Sequence, residues 1–180
     1  MRSFIAIPIP EASLDALTRL QSMVPVGRPV AEDNLHLTLA FLDDVDDATL
    51  HDLHLSLIGL RGAPVAIDFD GLDSFTEMER GLIFAAVRKS PELDALHAAV
   101  TRAARGAGVA LPRRRFRPHV TLTRANRRPT GVARDRLAAL VGAHRDAIPG
   151  FTADRVCLYR SQLHSTGARH DILAEYPLSG

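Results

Sequence analysis

Two short stretches carry the residue types of proton-transfer chemistry at matching offsets. "HLTLAFL" occupies residues 36–42 and "HVTLTRA" residues 119–125. Each begins with His-x-Thr-Leu. Strand residues two apart point to the same side, so His36 and Thr38 share a face, as do His119 and Thr121. Histidine has an unperturbed pKa near 6.5 and serves as acid or base near neutral pH. One neutral imidazole could take a proton from an attacking oxygen while a protonated one gives a proton to the leaving oxygen. The threonine hydroxyls could donate to charged oxygens, an arrangement suited to in-line displacement at phosphorus.

The surroundings favour an anionic ligand. The stretch "RRRFRPHVTLTRANRR" carries Arg113, Arg114, Arg115, Arg117, Arg124, Arg127 and Arg128, and arginine is the preferred bidentate partner of phosphate. Arg124 follows His119 by five residues and Phe41 follows His36 by five. On a regular strand both point away from the histidines, and a bulge or the strand's end would have to turn them back. Phe41 could then stack on a base or belong to the core. The acidic run "DDVDD", residues 43–47, reads as a turn that N-caps a helix. His51, His54, His97, His144, His164 and His170 read as surface or structural residues. Each His-x-Thr strand supplies only one histidine, without a second ligand at metal-binding spacing, so no metal or other cofactor is expected.

The elements needed to position these residues recur in one order. "SFIAIPI" reads as a strand and "PEASLDALTRLQSM" as a helix with Pro10 at its start. "NLHLTLAFL" alternates, with Leu35, Leu37 and Leu39 on one face and His36, Thr38 and Ala40 on the other. A helix over "DATLHDLHLSLIGL" and a strand over "PVAIDFDGLDSF" complete the first unit. The second unit runs through a strand "LIFAAVR", a helix "SPELDALHAAVTRAARGAG" capped by Ser90 with Pro91 at its first position, the strand "FRPHVTLTRA", a helix "GVARDRLAALVGAH" and a strand "ADRVCLYRSQL". "HDILAEYPL" suggests a terminal strand. The unit strand–helix–HxT strand–helix–strand thus occurs twice. Two copies related by an approximate two-fold would bring the HxT strands together. The expected fold is α+β: two antiparallel sheets lining a central cleft, helices outside, and a single bilobal domain over residues 1–180.

Composition sets outer bounds. The 180 residues are 46% hydrophobic and 24% charged with a net charge of +1. That excludes a disordered chain and gives no overall bias towards nucleic acid. The lone cysteine, Cys157, lies in the apolar stretch "RVCLY" and reads as a small buried hydrophobe. One cysteine allows no intrachain disulfide, which suits a reducing cytosol. No apolar run is long enough to span a membrane and the N-terminus lacks a signal-peptide pattern, so a cytoplasmic protein is expected.

These stretches together identify a resemblance. "FIAIPIP", "NLHLTLAFL", "FRPHVTLTR" and "VCLYRSQLHSTGARHDILAEYPL" are similar to the two-histidine (2H) phosphoesterases, most closely the RNA 2′,3′-cyclic phosphodiesterases, also called 2′-5′ RNA ligases. The resemblance covers essentially the whole chain. It implies a bilobal 2H fold with both motifs in a central cleft, and metal-independent hydrolysis of a 2′,3′-cyclic phosphate to a 2′-phosphomonoester. It permits 2′-5′ ligation. It implies that His36 is the acid at the leaving 3′ oxygen and His119 the base, that Thr38 and Thr121 hold phosphate oxygens, that Arg124 assists at the phosphate and that Phe41 packs against a base. The implied partners are RNA ends or 2′,3′-cyclic nucleotides, with no membrane or metal, and the chain would act as a monomer. One departure stands out: Asp43 occupies a position where the family often has Gly. A module that binds nucleotides or RNA in the same cleft without turnover is the rival reading.

Overall fold

A computed structural model of the full chain describes residues 1–75, 81–113, 115–125, 130–144, 147–165 and 167–179. Arg114, Arg127 and Arg128 of the arginine-rich stretch lie outside the described residues.

The first half holds β1 (Arg2–Pro8), α1 (Glu11–Met23), the two-residue strand β2 (Arg28–Pro29), a 3-10 turn (Glu32–Asn34), β3 (His36–Asp44), α2 (Asp47–Ile58), β4 (Val65–Ile67) and β5 (Phe69–Phe75). The second holds β6 (Gly81–Val87), α3 (Pro91–Gly106), β7 (His119–Ala125), α4 (Gly131–Ala143), β8 (Phe151–Ala153), β9 (Arg155–His164) and β10 (Gly167–Pro177). Local chemistry sets several boundaries. Pro10, extended and lacking an N–H, precedes the first turn of α1. Asp46 accepts from the Thr49 N–H at 2.7 Å and caps α2, the role read from the acidic run. Ser90 Oγ accepts from the Leu93 N–H at 3.1 Å and Pro91 opens α3. The stretch read as one strand from Pro64 to Phe75 divides into β4 and β5. β2, the 3-10 turn and β8 are too short to leave a periodic signal.

Seven strands run in the order β10-β9-β1-β3-β7-β6-β5, with β2 added beside β7. β3 and β7 meet through a single antiparallel pair, Leu37 with Val120. The two expected sheets are therefore two arms of one antiparallel sheet, joined at the HxT strands. β4 and β8, each the strand that follows the second helix of its unit, pair in a separate two-stranded sheet.

The two units exchange elements. β5 leaves the first unit to pair with β6 of the second, and β9 leaves the second to pair with β1 of the first. α1 packs against β7, and α3 against β3. Each HxT strand is thus backed by a helix from the other unit. One core joins both: Leu17 and Leu20 of α1, Leu53 and Leu57 of α2, and Leu93, Leu96 and Val100 of α3 pack with Leu37, Leu39, Val120 and Leu122 of the HxT strands. Each such aliphatic side chain contributes about 1.5–3 kcal/mol on full burial. The arms can part only by exposing that shared core.

Candidate active site

β3 and β7 repeat one pattern of burial. His36 and Thr38 are half-buried while Leu37 and Leu39 are buried; His119 and Thr121 are half-buried while Val120 and Leu122 are buried. Both strands then leave strict alternation at the same offset. β3 pairs Thr38 with Ala6 and Ala40 with Ile5, which makes Leu39 an extra residue. β7 pairs Thr121 with Phe84 and Thr123 with Ile83, which makes Leu122 extra. A bulge turns the residues beyond it by one face. Ala40 is consequently buried, not on the His36 face as strict alternation predicts, and Thr123 is buried likewise. Phe41 and Arg124 turn outward to the cleft. Phe41 is 58% exposed, which removes it from the core.

The register at Leu37–Val120 sets His36 opposite Thr121 and Thr38 opposite His119. One imidazole and one hydroxyl therefore stand at each side of the junction. A cavity of about 710 Å³ opens there, and His36, Thr38, Thr121, Arg124 and Phe41 line it. His119 is near enough to act electrostatically on His36.

Both imidazoles are oriented by the carbonyl two residues upstream. His119 Nδ1 donates to the Arg117 carbonyl at 2.7 Å, and a ring N–H of His36 donates to that of Asn34. This bond fixes the tautomer and leaves the other ring nitrogen for a ligand. The Asn34 side chain donates to the Ala168 carbonyl at 2.6 Å, tying the turn before His36 to β10.

The rings have different neighbours. His36 stacks on Phe4, centroids 4.6 Å apart, and Phe4 stacks on Tyr159 at 4.9 Å. Burial, then the charges of His170, Arg124 and His119, hold His36 down to about 4. His119 lies beside Phe84 at 5.0 Å, and burial followed by Arg117 and Arg124 lowers its pKa too. Both shifts favour the neutral imidazole at pH 7.

His170, read from the sequence as surface or structural, lies at the cleft: its ring meets His36 edge-on with centroids 5.4 Å apart and lines the same cavity. Arg2 and Arg28 line it as well. The terminal stretch carries part of the resemblance, but no local pattern singles out His170; only the pairing of β10 with β9, and of β9 with β1, brings it to the cleft. The other five histidines fit the structural or surface reading; His144 Nδ1 donates to the Leu140 carbonyl at 3.2 Å, one turn back on α4. His54 Nδ1 pairs with the Tyr176 hydroxyl at 2.9 Å, His97 stacks on Phe116 at 3.8 Å, and His51 and His164 are exposed. Cys157 is fully buried, and burial pushes its thiol up. Among the described residues no group of three His, Cys, Asp or Glu could hold a metal ion, and no helix is long and apolar enough to cross a membrane.

The comparisons with known proteins agree with this architecture. The RNA 2′,3′-cyclic phosphodiesterase of Geobacillus stearothermophilus is 29% identical over 98% of this chain, which spans 57% of that protein's length. The Escherichia coli protein of the same name is 32% identical over 68% of this chain and 71% of its own. The crystal structure of E. coli LigT in its apo form superposes with a TM-score of 0.81 at 25% identity, covering 99% of this chain and 98% of that one. The sequence model of the 2'-5' RNA ligase superfamily matches residues 9–164, and the chain belongs to that superfamily.

Proposed function

We propose that the chain hydrolyses a nucleotide or RNA 2′,3′-cyclic phosphate to the 2′-phosphomonoester, without metal. The observation that carries this is the doubled half-site: one oriented imidazole and one hydroxyl from each arm, brought side by side by the Leu37–Val120 pair at the β3–β7 junction. The names of two relatives, each matched over part of its length, support the substrate class.

His119, neutral, takes the proton of a water that attacks phosphorus opposite O3′. His36, protonated, gives its proton to O3′ as the P–O3′ bond breaks. One P–O bond forms, one breaks, and the phosphate stays on O2′. The protons then re-equilibrate with solvent. Thr38 and Thr121 donate to the non-bridging oxygens and Arg124 balances their charge. Phe41, exposed at the mouth, offers a face for the base. With a 5′-hydroxyl in place of water, the same groups in the same roles would form a P–O5′ bond as P–O3′ breaks, joining the two ends through a 2′-5′ phosphodiester.

The two environments support this division of labour. His36 is the more strongly depressed ring, and the weaker base makes the stronger acid once charged. A bound phosphate supplies the negative charge that lets it carry a proton, so charging of the acid is tied to occupancy of the site. Binding alone would need no second titrating group, which weighs against a non-catalytic module.

Incubation with a 2′,3′-cyclic mononucleotide, read by phosphorus NMR, should give the 2′-phosphate, and the rate should survive dialysis against a chelator. Affinity without product supports the binding module. A 3′-phosphate reverses the orientation of the ribose. Loss of activity on chelation that one divalent ion restores ends the metal-free mechanism.

A further inference from the structure

The cleft carries more positive charge than one phosphate at the histidine pair requires. Arg28 of β2 stands directly opposite Arg124 of β7 in the antiparallel ladder. Like charges opposed across a strand pair are destabilising, and both residues are exposed on the cavity. The arrangement is nonetheless held firmly. Gly27 takes φ +84, and a Cβ there would lie 2.6 Å from Thr123 Cγ2 and 2.9 Å from the Arg124 carbonyl oxygen. Only glycine lets β2 approach β7 this closely. The Gln21 side chain donates to the carbonyls of Val30 and Leu122 at 2.9 and 2.7 Å, fastening the segment from α1.

From β2, Arg28 reaches across the cavity to the β9–β10 hairpin, where its Nη2 lies 3.6 Å from the point a Cβ on Gly167 would occupy. His170 lies in the same wall, and burial followed by the charges of Arg124 and Arg2 lowers its pKa. Three acidic groups lie near this wall. Asp171 is bound by Arg160 at 3.0 Å and Arg169 at 3.1 Å, and Glu32 accepts from Thr18 at 3.3 Å. Asp43 lines the mouth on the β3 side.

We propose that Arg28, His170 and Arg2, with Arg124 shared, form a second phosphate site. It takes a phosphate carried on the 5′ oxygen of the nucleotide whose cyclic phosphate lies between His36 and His119. This rests on the function proposed above and names its substrate more closely. A phosphate reached by both Arg28 and Arg124 would receive charge-assisted hydrogen bonds from two guanidinium groups. His170 and His36 meet at 5.4 Å on the wall of one cavity, and the 5′ oxygen of a nucleotide lies one ribose away from its 2′ and 3′ oxygens. A terminal monoester on a free nucleotide and the diester that joins the nucleotide to an RNA chain present the same oxygens to this site.

The direct test is calorimetry on the full chain with adenosine 2′,5′-bisphosphate and adenosine 2′-monophosphate. The bisphosphate should bind about tenfold tighter or more, the gain of charge-assisted hydrogen bonds to one further phosphate. Arg28→Ala and His170→Gln should each bring the ratio of affinities towards one, and Arg28→Lys should retain part of it. Equal affinities in the wild-type protein, or a ratio that Arg28→Ala leaves intact, overturns the proposal. Turnover separates this site from the function it rests on. Hydrolysis of a 2′,3′-cyclic mononucleotide with no gain from a 5′-phosphate removes the second site and leaves the phosphodiesterase. A preference for the bisphosphate without hydrolysis of any cyclic phosphate leaves the site and removes the phosphodiesterase. With both present, a higher kcat/KM for a cyclic-ended dinucleotide than for the 5′-phosphorylated mononucleotide identifies RNA ends as the source. The reverse order identifies free nucleotides.

Discussion

His36 and His119 start two strands with the same bulge, the same upstream carbonyl and the same pattern of burial, yet they lie in different chemical settings. His36 lies face-on to Phe4 above Tyr159, with His170 at its edge. His119 has Phe84 tilted beside it and arginines in range. At the next equivalent position β3 presents an aromatic ring, Phe41, and β7 a guanidinium, Arg124. Duplication of the backbone places two imidazoles in matching positions; the unmatched side chains around them make one the stronger acid and give the cleft an apolar end and a cationic end. A cyclic nucleotide has the same asymmetry, a base at one side and a phosphate at the other.

Removing either imidazole is the largest perturbation. His36→Ala and His119→Ala should each lower turnover by about 10²–10⁴-fold, the usual range for general acid–base catalysis. The double variant should lose much less than the product of the two, because acid and base act in one step. Near wild-type rates in either single variant would remove that histidine from the chemistry.

The unmatched positions come next. Phe41→Ala should cost about 1–3 kcal/mol in substrate binding if a base stacks there, appearing in KM with little change in kcat. Arg124→Ala should lower kcat/KM through phosphate contacts, and the loss should shrink as salt rises. An unchanged KM in folded Phe41→Ala protein would leave the ribose orientation without a cause, and equal effects on KM and kcat from both substitutions would erase the division into apolar and cationic ends.

Much of this comparison is legible in the sequence. The repeat of His-x-Thr, the offsets of Phe41 and Arg124 and the need for a bulge come from strand periodicity. The α+β fold and its paired units come from the order of periodic segments. The exchange of β5, β9, α1 and α3 between units does not, because nothing local in a strand states which edge it will join. For the same reason His170, 134 residues after His36, gives no sign of meeting it. Strict alternation misplaces Ala40 because "HLTLAFL" alternates in residue type through the bulge while the backbone does not.

The pH dependence tests how the two settings couple. Free-enzyme ionisations govern kcat/KM and those of the complex govern kcat. His36 is held down to about 4 and His119 is lowered too, so the bell in kcat/KM should centre below pH 6.5. A bound phosphate favours both charged imidazoles, so the bell in kcat should centre at higher pH. Coincident bells would show that the phosphate does not set the protonation of the pair. Stability should track the same groups. Protonation of His36, His119 and His170 favours the unfolded chain, so their contribution is present above about pH 6.5, the unfolded value, and is lost as pH falls towards 4. A melting temperature flat across that range would contradict the buried, neutral rings.

The smallest expected effect lies at Asp43, where β3 leaves the cleft. Its φ of +54 makes it the one non-glycine with positive φ among the described residues. Aspartate tolerates the left-handed region better than most side chains, and glycine adopts it without steric cost but loses more chain entropy on folding. Asp43→Gly should therefore shift stability by no more than about 0.5 kcal/mol. Its effect on function comes from charge. The carboxylate lines the mouth of the cavity on the Phe41 side and repels an incoming polyanion. Replacing it with glycine should lower KM for a cyclic-ended dinucleotide by roughly two- to fivefold at low salt, fading as the Debye length contracts to about 3 Å at 1 M, with kcat unchanged. Asp43→Asn removes the charge and keeps a residue that accepts positive φ, so it should lower KM equally. A fall in KM with glycine but not with asparagine would assign the effect to the backbone turn, and no fall with either would show that substrates reach the cleft without passing this edge.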